Sequence, residues 1–254
     1  MVAKIESLHW FPLKGGKEWK MHELEVNTKV GVANDRRIAI RKVPGDMTRR
    51  PSPFHKTDFF VCANTPVMAI QGTDFILGTI DSYRFDEEKL RQLAEILGVD
   101  GQPLEIQVAD ETYHLGDTKG AQVSFLNMAT HRAFERFVGH PVDRRRWRVN
   151  VHVSGLRPFQ ELSWIKTYPG ERRMMVGGIP MRLDDVSVRC KATWANPETG
   201  KDDIDIQSQL RAFMANHRPR YSSAHHEGKT DIMGFYGVVL NDGALNVGDE
   251  IRLL

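Results

Sequence analysis

Cysteine is scarce in this 254-residue chain, which has two, Cys62 and Cys190, far apart in sequence. Two cysteines do not make up the usual four-ligand set of an iron–sulfur cluster, nor the disulfide framework of a small secreted domain. Long apolar runs are missing as well. No window has the length and apolarity of a membrane span, and residues 1–16, interrupted by Lys4, Glu6, His9 and Lys14, do not form a secretory segment. We therefore expect a soluble protein of a reducing compartment, cytoplasmic and without a membrane partner. A dominant charge is also lacking, since 35 Lys and Arg balance 33 Asp and Glu to a net +2. That argues against a dedicated nucleic-acid binder. A P-loop is excluded because the first glycine is missing before Gly15, Gly16 and Lys17, and Glu18 stands where Ser or Thr is needed. No internal repeat or low-complexity tract is evident.

What is present is an ordinary globular composition, 41% hydrophobic and 27% charged, in a chain long enough for one large domain or two small ones. Alternation predicts strands over residues 4–10, 37–41, 59–62, 75–79 and 104–108. Helical spacing of Leu90, Leu93, Ala94 and Leu97 predicts a helix over 86–97, with Asp86 as cap and Gly98 as stop. A second helix is predicted over 127–138, with Ala133, Phe134, Phe137 and Val138 on one side, and a third on Ile206, Leu210, Phe213, Met214 and His217. His217 then reads as a core or edge histidine. Residues 218–231 are polar and read as a long loop, whose adjacent His225 and His226 cannot both face one metal. At the end, residues 232–240, a turn at 241–243 and residues 245–253 read as a hairpin that closes a barrel.

The chemistry concentrates between Trp147 and Gly200. Over residues 147–153 the valines and Trp147 share one face of a predicted strand, and Arg148, Asn150 and His152 the other. Over 185–190, Cys190 is in phase with Val186 and Val188, the pattern of a small buried hydrophobe. Against that, Arg189 and Lys191 flank it, conditions that favour a thiolate ligand, and the turn Asn196–Pro197–Glu198–Thr199–Gly200 would leave it near a strand end. Several polar positions admit two roles each. Lys14 is either a solvated turn residue or an anion ligand. Arg36 either pairs with Asp35 or binds an anion. Ser124 and Asn127 either cap a helix or contact an anion at its start. The basic run Arg144, Arg145, Arg146, Arg148 around Trp147 could hold single-stranded nucleic acid, but one run without repeats is weak support.

Taken together, residues 146–150, the Arg189–Cys190 pair, the turn at 196–200 and the closing run 234–249 resemble a MOSC domain, the module at the C-terminus of molybdenum cofactor sulfurases. Pro12, Leu13 and Lys14, then Gly31, Asp35 and Arg36, are similar to the N-terminal β-barrel domain that accompanies it in the amidoxime-reducing molybdoenzymes. The resemblance covers nearly the whole chain and is thinnest between residues 50 and 120. It implies a mainly β fold with peripheral helices (α+β), made of two β-barrel-like domains. Residues 1–115 would form the N-terminal one and 116–254 the MOSC β-barrel. It also implies that Cys190 coordinates molybdenum and that Lys14, Arg36 and Arg148 hold the phosphate of the molybdenum cofactor (Mo-molybdopterin). Ser124, Asn150 and Asn196 would contact the same cofactor. Gly15 stands where the family usually has serine, Ile38 where it has tryptophan, Val149 where it has proline, and Asn196 where it has aspartate.

The function this implies is reduction of N-hydroxylated small molecules, with electrons from a separate ferredoxin- or cytochrome-type protein and its reductase. The alternative is a carrier that holds the cofactor, or a persulfide on Cys190, without turnover. A third reading, Cys190 as a covalent nucleophile beside one of the ten histidines, has no supporting motif.

Overall fold

The computed structural model describes residues 2–42, 58–79, 82–99, 101, 104–110, 112–116, 122–165, 172–217 and 228–254. The first half contributes strands β1 (Ala3–Trp10), β2 (Trp19–Met21), β3 (Glu23–Asn27), β4 (Gly31–Val32), β5 (Ile38–Arg41), β6 (Ile76–Thr79), β7 (Ser82–Phe85) and β8 (Glu105–Val108), with helix α1 (Glu87–Ile96) between the last two. The second contributes β9 (Gln122–Asn127), α2 (Met128–Val138), β10 (Val151–Ser154), α3 (Gln160–Trp164), β11 (Arg173–Val176), β12 (Ile179–Val188), α4 (Ile206–His217), β13 (Ile232–Val239), β14 (Gly243–Asn246) and β15 (Glu250–Leu253).

Seven of these strands close a barrel in the order β10-β9-β13-β12-β11-β15-β1, with β1 pairing back onto β10 and β2 extending the sheet beyond β1. The mainly β architecture with peripheral helices is thus the one found. One pair in the barrel, β9 with β10, is parallel. A parallel pair needs a crossover, and α2 lies in the chain between these two strands. Asn127 caps α2 by accepting from Ala129 N at 2.9 Å, so its capping role is the one realised. Ser124 lies within β9 rather than at the helix start. In β1 the register against β10 shifts between Ile5 and Ser7. That bulge buries Leu8 together with Ser7 and His9, which explains why the strand's alternation looks poorly polarised.

The main core fills this barrel and includes Ile5, Leu8, Leu24 and Val32 from the start of the chain beside Phe125, Trp147, Phe213 and Phe235. Two smaller cores lie alongside. One joins Leu13, Ile38, Ile40, Phe60, Met68 and Leu93, and the other joins Ala39, Phe59, Val61, Ala109 and Leu115. They cover the β5–β8 ladder and, with α1, the region beside the β6–β7 ladder. Two of the strands before residue 33 accordingly pair with the second half of the chain, β1 inside the barrel and β3 with β14, while β2 and β4 pair with β1 and β3.

Three local expectations are corrected. Residues 147–150 are not strand. Asp143 accepts from Arg145 N and starts a 3-10 turn over Arg144–Trp147, Arg148 ends it with φ 51°, and β10 begins at Val151. Trp147 is fully buried and donates from Nε1 to His131 Nδ1 at 3.0 Å, so its burial does not come from strand alternation. Residues 59–62 make no regular strand: Phe59 forms one isolated antiparallel bridge with Arg41, and the chain turns from Cys62 on, where Asn64 accepts from Val61 N and donates to the Phe59 carbonyl. Finally, residues 232–253 do not make a hairpin. β13 pairs with β12 and β9, β14 leaves to pair with β3, and β15 joins β11 and β1. His217 behaves as expected, its Nδ1 2.8 Å from the Phe213 carbonyl and its ring stacked on Phe159. Residues 218–227, with His225 and His226, lie outside the described residues.

Candidate functional site

β12 stops at Val188, and Arg189 and Cys190 follow it into a 3-10 turn over Lys191–Trp194. The register of β12 against β13 shifts twice before this point, and Val188 is 51% exposed. The phase that would have sealed Cys190 among valines is therefore broken. Cys190 is half-buried, and its carbonyl accepts from Thr193 N and Oγ1. Arg189 is held behind it by two bonds of 2.7 Å, from Nε to the Met233 carbonyl and from Nη1 to the Trp147 carbonyl. Burial pulls its pKa below the usual arginine value. With a starting value so far above neutrality the group stays charged.

On the facing wall, Arg36 and Arg148 both adopt left-handed backbone, φ 49° and 51°. Such conformations cost non-glycine residues of order 1 kcal/mol or more and persist where the surroundings enforce them. The enforcing contacts are visible. Arg36 pairs with Asp35, whose other oxygen accepts from Phe11 N at 2.8 Å. Arg36 Nη2 donates to the Arg148 carbonyl at 3.0 Å, and Arg148 Nη1 donates to the Gly16 carbonyl at 2.5 Å. The two guanidinium carbons sit 5.1 and 4.8 Å from the centroid of the Phe11 ring, within cation–π range.

These groups meet around a cavity of about 400 Å³ whose lining includes Arg36, Ser124, Arg148, Asn150 and Cys190. That size falls in the range of small-molecule sites. Five of the seven residues expected from the sequence are thus brought together. Arg146 and Arg189 line the cavity too, so among the described residues four arginines line it with one carboxylate, Asp35. Nη2 of Arg148 and Nη2 of Arg189 are buried with no hydrogen-bond partner. A buried unsatisfied N–H on a cation is costly, and the excess of positive charge around the cavity suits an anionic occupant. Ser124 and Asn150 form a wall bonded to itself. The serine hydroxyl lies 2.7 Å from Asn150 Oδ1 and accepts from Asn150 N at 3.0 Å, and Asn150 Nδ2 donates to the His9 carbonyl.

Lys14 lines a neighbouring cavity of about 50 Å³ with Gly15, Arg36, Arg148 and Cys190. It is 3% exposed, with Nζ 2.6 Å from the Leu115 carbonyl, so this lysine is not a solvated turn residue. Asn196 is not among the residues lining either cavity. Its Oδ1 accepts from Glu198 N and Thr199 N to close the turn, and its Nδ2 donates to Asp203, which also pairs with Arg146 at 2.7 Å. It touches the site only through that relay. Sequence reasoning named Asp35 only as a partner of Arg36 and Arg189 only as a neighbour of Cys190, and it did not single out His114 or Tyr236, which also line the cavity.

Among the described residues no group of three or more His, Cys, Asp and Glu could hold a metal ion. A metal bound at Cys190 would have to arrive with other ligands of its own. No helix among the described residues is long and apolar enough to cross a membrane.

The MOSC domain profile matches residues 110–252, more than half of the chain. The chain belongs to the MOSC domain family. Within that family it is 27% identical over 112 residues to mitochondrial amidoxime-reducing component 1 of Homo sapiens, and 26% identical over the same length to that of Mus musculus. Each match covers 42% of this chain and 29% of the relative, so the chain spans under a third of the length of these relatives. The crystal structure of the YUAD protein from Bacillus subtilis aligns over 100% of this MOSC protein and 96% of its own chain, at 14% identity and a TM-score of 0.38. A likeness of that degree adds nothing to the strand pairing described above.

Proposed function

We propose that this MOSC protein binds the molybdenum cofactor and reduces N-hydroxylated small molecules with electrons from a separate redox protein. The observation that carries the proposal is the pairing of a half-buried thiol, Cys190, with four arginines, Arg36, Arg146, Arg148 and Arg189, around one cavity. That donor set suits a ligand that is both anionic and a carrier of a thiophilic metal. Cys190 Sγ would be the protein ligand to the metal. Arg36 and Arg148, which line the larger cavity with it, would hold the phosphate together with Lys14 of the smaller one. Ser124 and Asn150 would shape the wall, and Arg189 would add its positive charge.

When bound, the cofactor supplies a two-electron redox centre that this chain otherwise lacks. In the proposed reaction the substrate N–O bond breaks, two electrons and two protons are taken up, and the oxygen leaves as water. The two cysteines of this sequence do not suffice for an iron–sulfur cluster, which is why the electrons are assigned to a ferredoxin- or cytochrome-type partner. Neither cysteine is in a disulfide, in keeping with a reducing compartment such as the cytoplasm.

The test is reduction of an amidoxime by cofactor-loaded protein with an artificial electron donor, comparing wild type with Cys190→Ala. Loss of turnover with the fold retained is expected. Turnover that survives the substitution would end the proposal. Stable cofactor binding with no turnover in the wild type would instead favour the carrier role.

A further inference from the structure

The two cysteines of the chain, far apart in sequence, line the same cavity of about 50 Å³. A space of that size holds little more than a water or two. We propose that Cys62 and Cys190 form a reversible intramolecular disulfide across this cavity, a modification that withdraws the Cys190 sulfur from the larger one.

The two thiols are placed for different parts in such a reaction. Cys190 is half-buried and also faces the 400 Å³ cavity, where a small solute can reach it. Cys62 is 2% exposed and lies 2.7 Å through Sγ from the Gly15 carbonyl, to which it donates. Burial shields it from direct attack by a solute. Neither residue is fixed in a strand ladder. Cys62 lies in the turn closed by Asn64, and Cys190 opens the 3-10 turn that follows β12. Both can shift without breaking a sheet.

The chemistry balances with a hydroperoxide as oxidant. Its O–O bond breaks as an S–O bond forms on Cys190, giving a sulfenic acid and releasing water or an alcohol. The Cys62 sulfur then attacks Cys190 Sγ, the S–S bond forms, the S–O bond breaks, and the hydroxyl leaves as water with the thiol proton. The two thiols lose two electrons in total to the peroxide. A dithiol reductant reverses the change. The disulfide would occupy the space between Lys14, Gly15, Arg36 and Arg148. On the reading given under Proposed function, and resting on it, disulfide and bound cofactor exclude one another.

The experiment treats full-length, cofactor-free protein with hydrogen peroxide, alkylates it under denaturing conditions and maps the peptides by mass spectrometry. Expected are a monomer with neither thiol alkylated, a peptide linking Cys62 to Cys190, and recovery of both thiols with dithiothreitol. In Cys62→Ser, Cys190 should proceed to sulfinic acid, since the partner that intercepts the sulfenic acid is gone. Sulfinic acid on Cys190 of the wild type with Cys62 still alkylated, or dimers linked through Cys190, would overturn the proposal. Molybdopterin retention by the reduced and disulfide forms separates the two readings, with an expected loss of at least tenfold on oxidation. If the disulfide forms and retention is unchanged, the cofactor assignment fails and the disulfide stands. If no disulfide forms, the disulfide fails whatever the retention shows.

Discussion

Arg36 donates a hydrogen bond from Nη2 to the carbonyl of Arg148, 3.0 Å away, and the two guanidinium groups lie over one phenyl ring, that of Phe11. Residues from opposite halves of the chain are thereby fixed in one anion-binding wall. Replacing Arg148 by lysine keeps the charge and removes the planar fork that reaches the Gly16 carbonyl. A hydrogen bond to a charged group contributes about 1.5–3 kcal/mol. Molybdopterin binding to Arg148→Lys should weaken by roughly 10-fold to 100-fold, measurable by equilibrium dialysis. Unchanged binding would remove Arg148 from the site.

Gly15 has φ +77°, and a Cβ added there would lie 2.7 Å from Val61 Cα, a backbone atom that cannot step aside. Serine, usual at this position in the resembling proteins, does not fit this backbone. Gly15→Ser should destabilise the protein by about 1–3 kcal/mol, read as a lower denaturant midpoint at unchanged slope. A midpoint equal to that of wild type would show that the loop relaxes.

Asn196→Asp brings in the family's usual residue and places a carboxylate where Asn196 Nδ2 now donates to Asp203 Oδ2 at 2.6 Å. Two like charges would then face each other, with one hydrogen bond lost, at a cost of about 1–3 kcal/mol. Burial pushes the Asp203 carboxyl up, but bonds from Arg146 and Asn196 together outweigh it and hold the group below the usual range. In the variant it should titrate at higher pH. NMR titration of its carboxyl carbon would show the rise. A downward shift would contradict this placement of the side chain.

Glu161 gives the chain a dependence on pH. It is fully buried, burial pushes its carboxyl up to about 7, and hydrogen bonds from Asn127 and Thr130 only partly oppose that. Below its ordinary value near 4.5 the group is protonated in both folded and unfolded chains. As pH rises from there to about 7 only the unfolded chain ionises, so stability falls, by on the order of 3 kcal/mol at about 1.4 kcal/mol per pH unit. Above about 7 both states are ionised and the loss levels off. Glu161→Gln should flatten unfolding free energy between pH 4.5 and 7. An equal slope in the variant would place the dependence elsewhere.

Helices were legible where apolar spacing and caps agreed, as in α1 with Asp86 and α2 with Asn127. Of the five site residues that meet in the main cavity, Arg36, Arg148, Asn150 and Cys190 were legible through resemblance, and Ser124 through its place ahead of a predicted helix. Alternation misled at residues 147–150 and 59–62. There the side chains of Asp143 and Asn64 bond to the backbone and make turns, and the apolar pattern carries no trace of that. The burial of Lys14 and the approach of Cys62 to Cys190 were invisible for another reason. Both depend on how residues 58–63 fold back over Gly15, a tertiary contact with no local periodicity. The expected hairpin over 232–253 failed because β14 leaves the barrel sheet to pair with β3, a partner more than 200 positions away.

The measurement that bears most directly on the cofactor account is the molybdenum and pterin content of freshly purified protein, wild type beside Cys190→Ala, each checked for fold by circular dichroism. The account predicts molybdenum and pterin in comparable amounts in the wild type, and metal lost from a folded Cys190→Ala. Equal molybdenum in both proteins, or a folded wild type that takes up neither metal nor pterin when supplied with the cofactor, would contradict it.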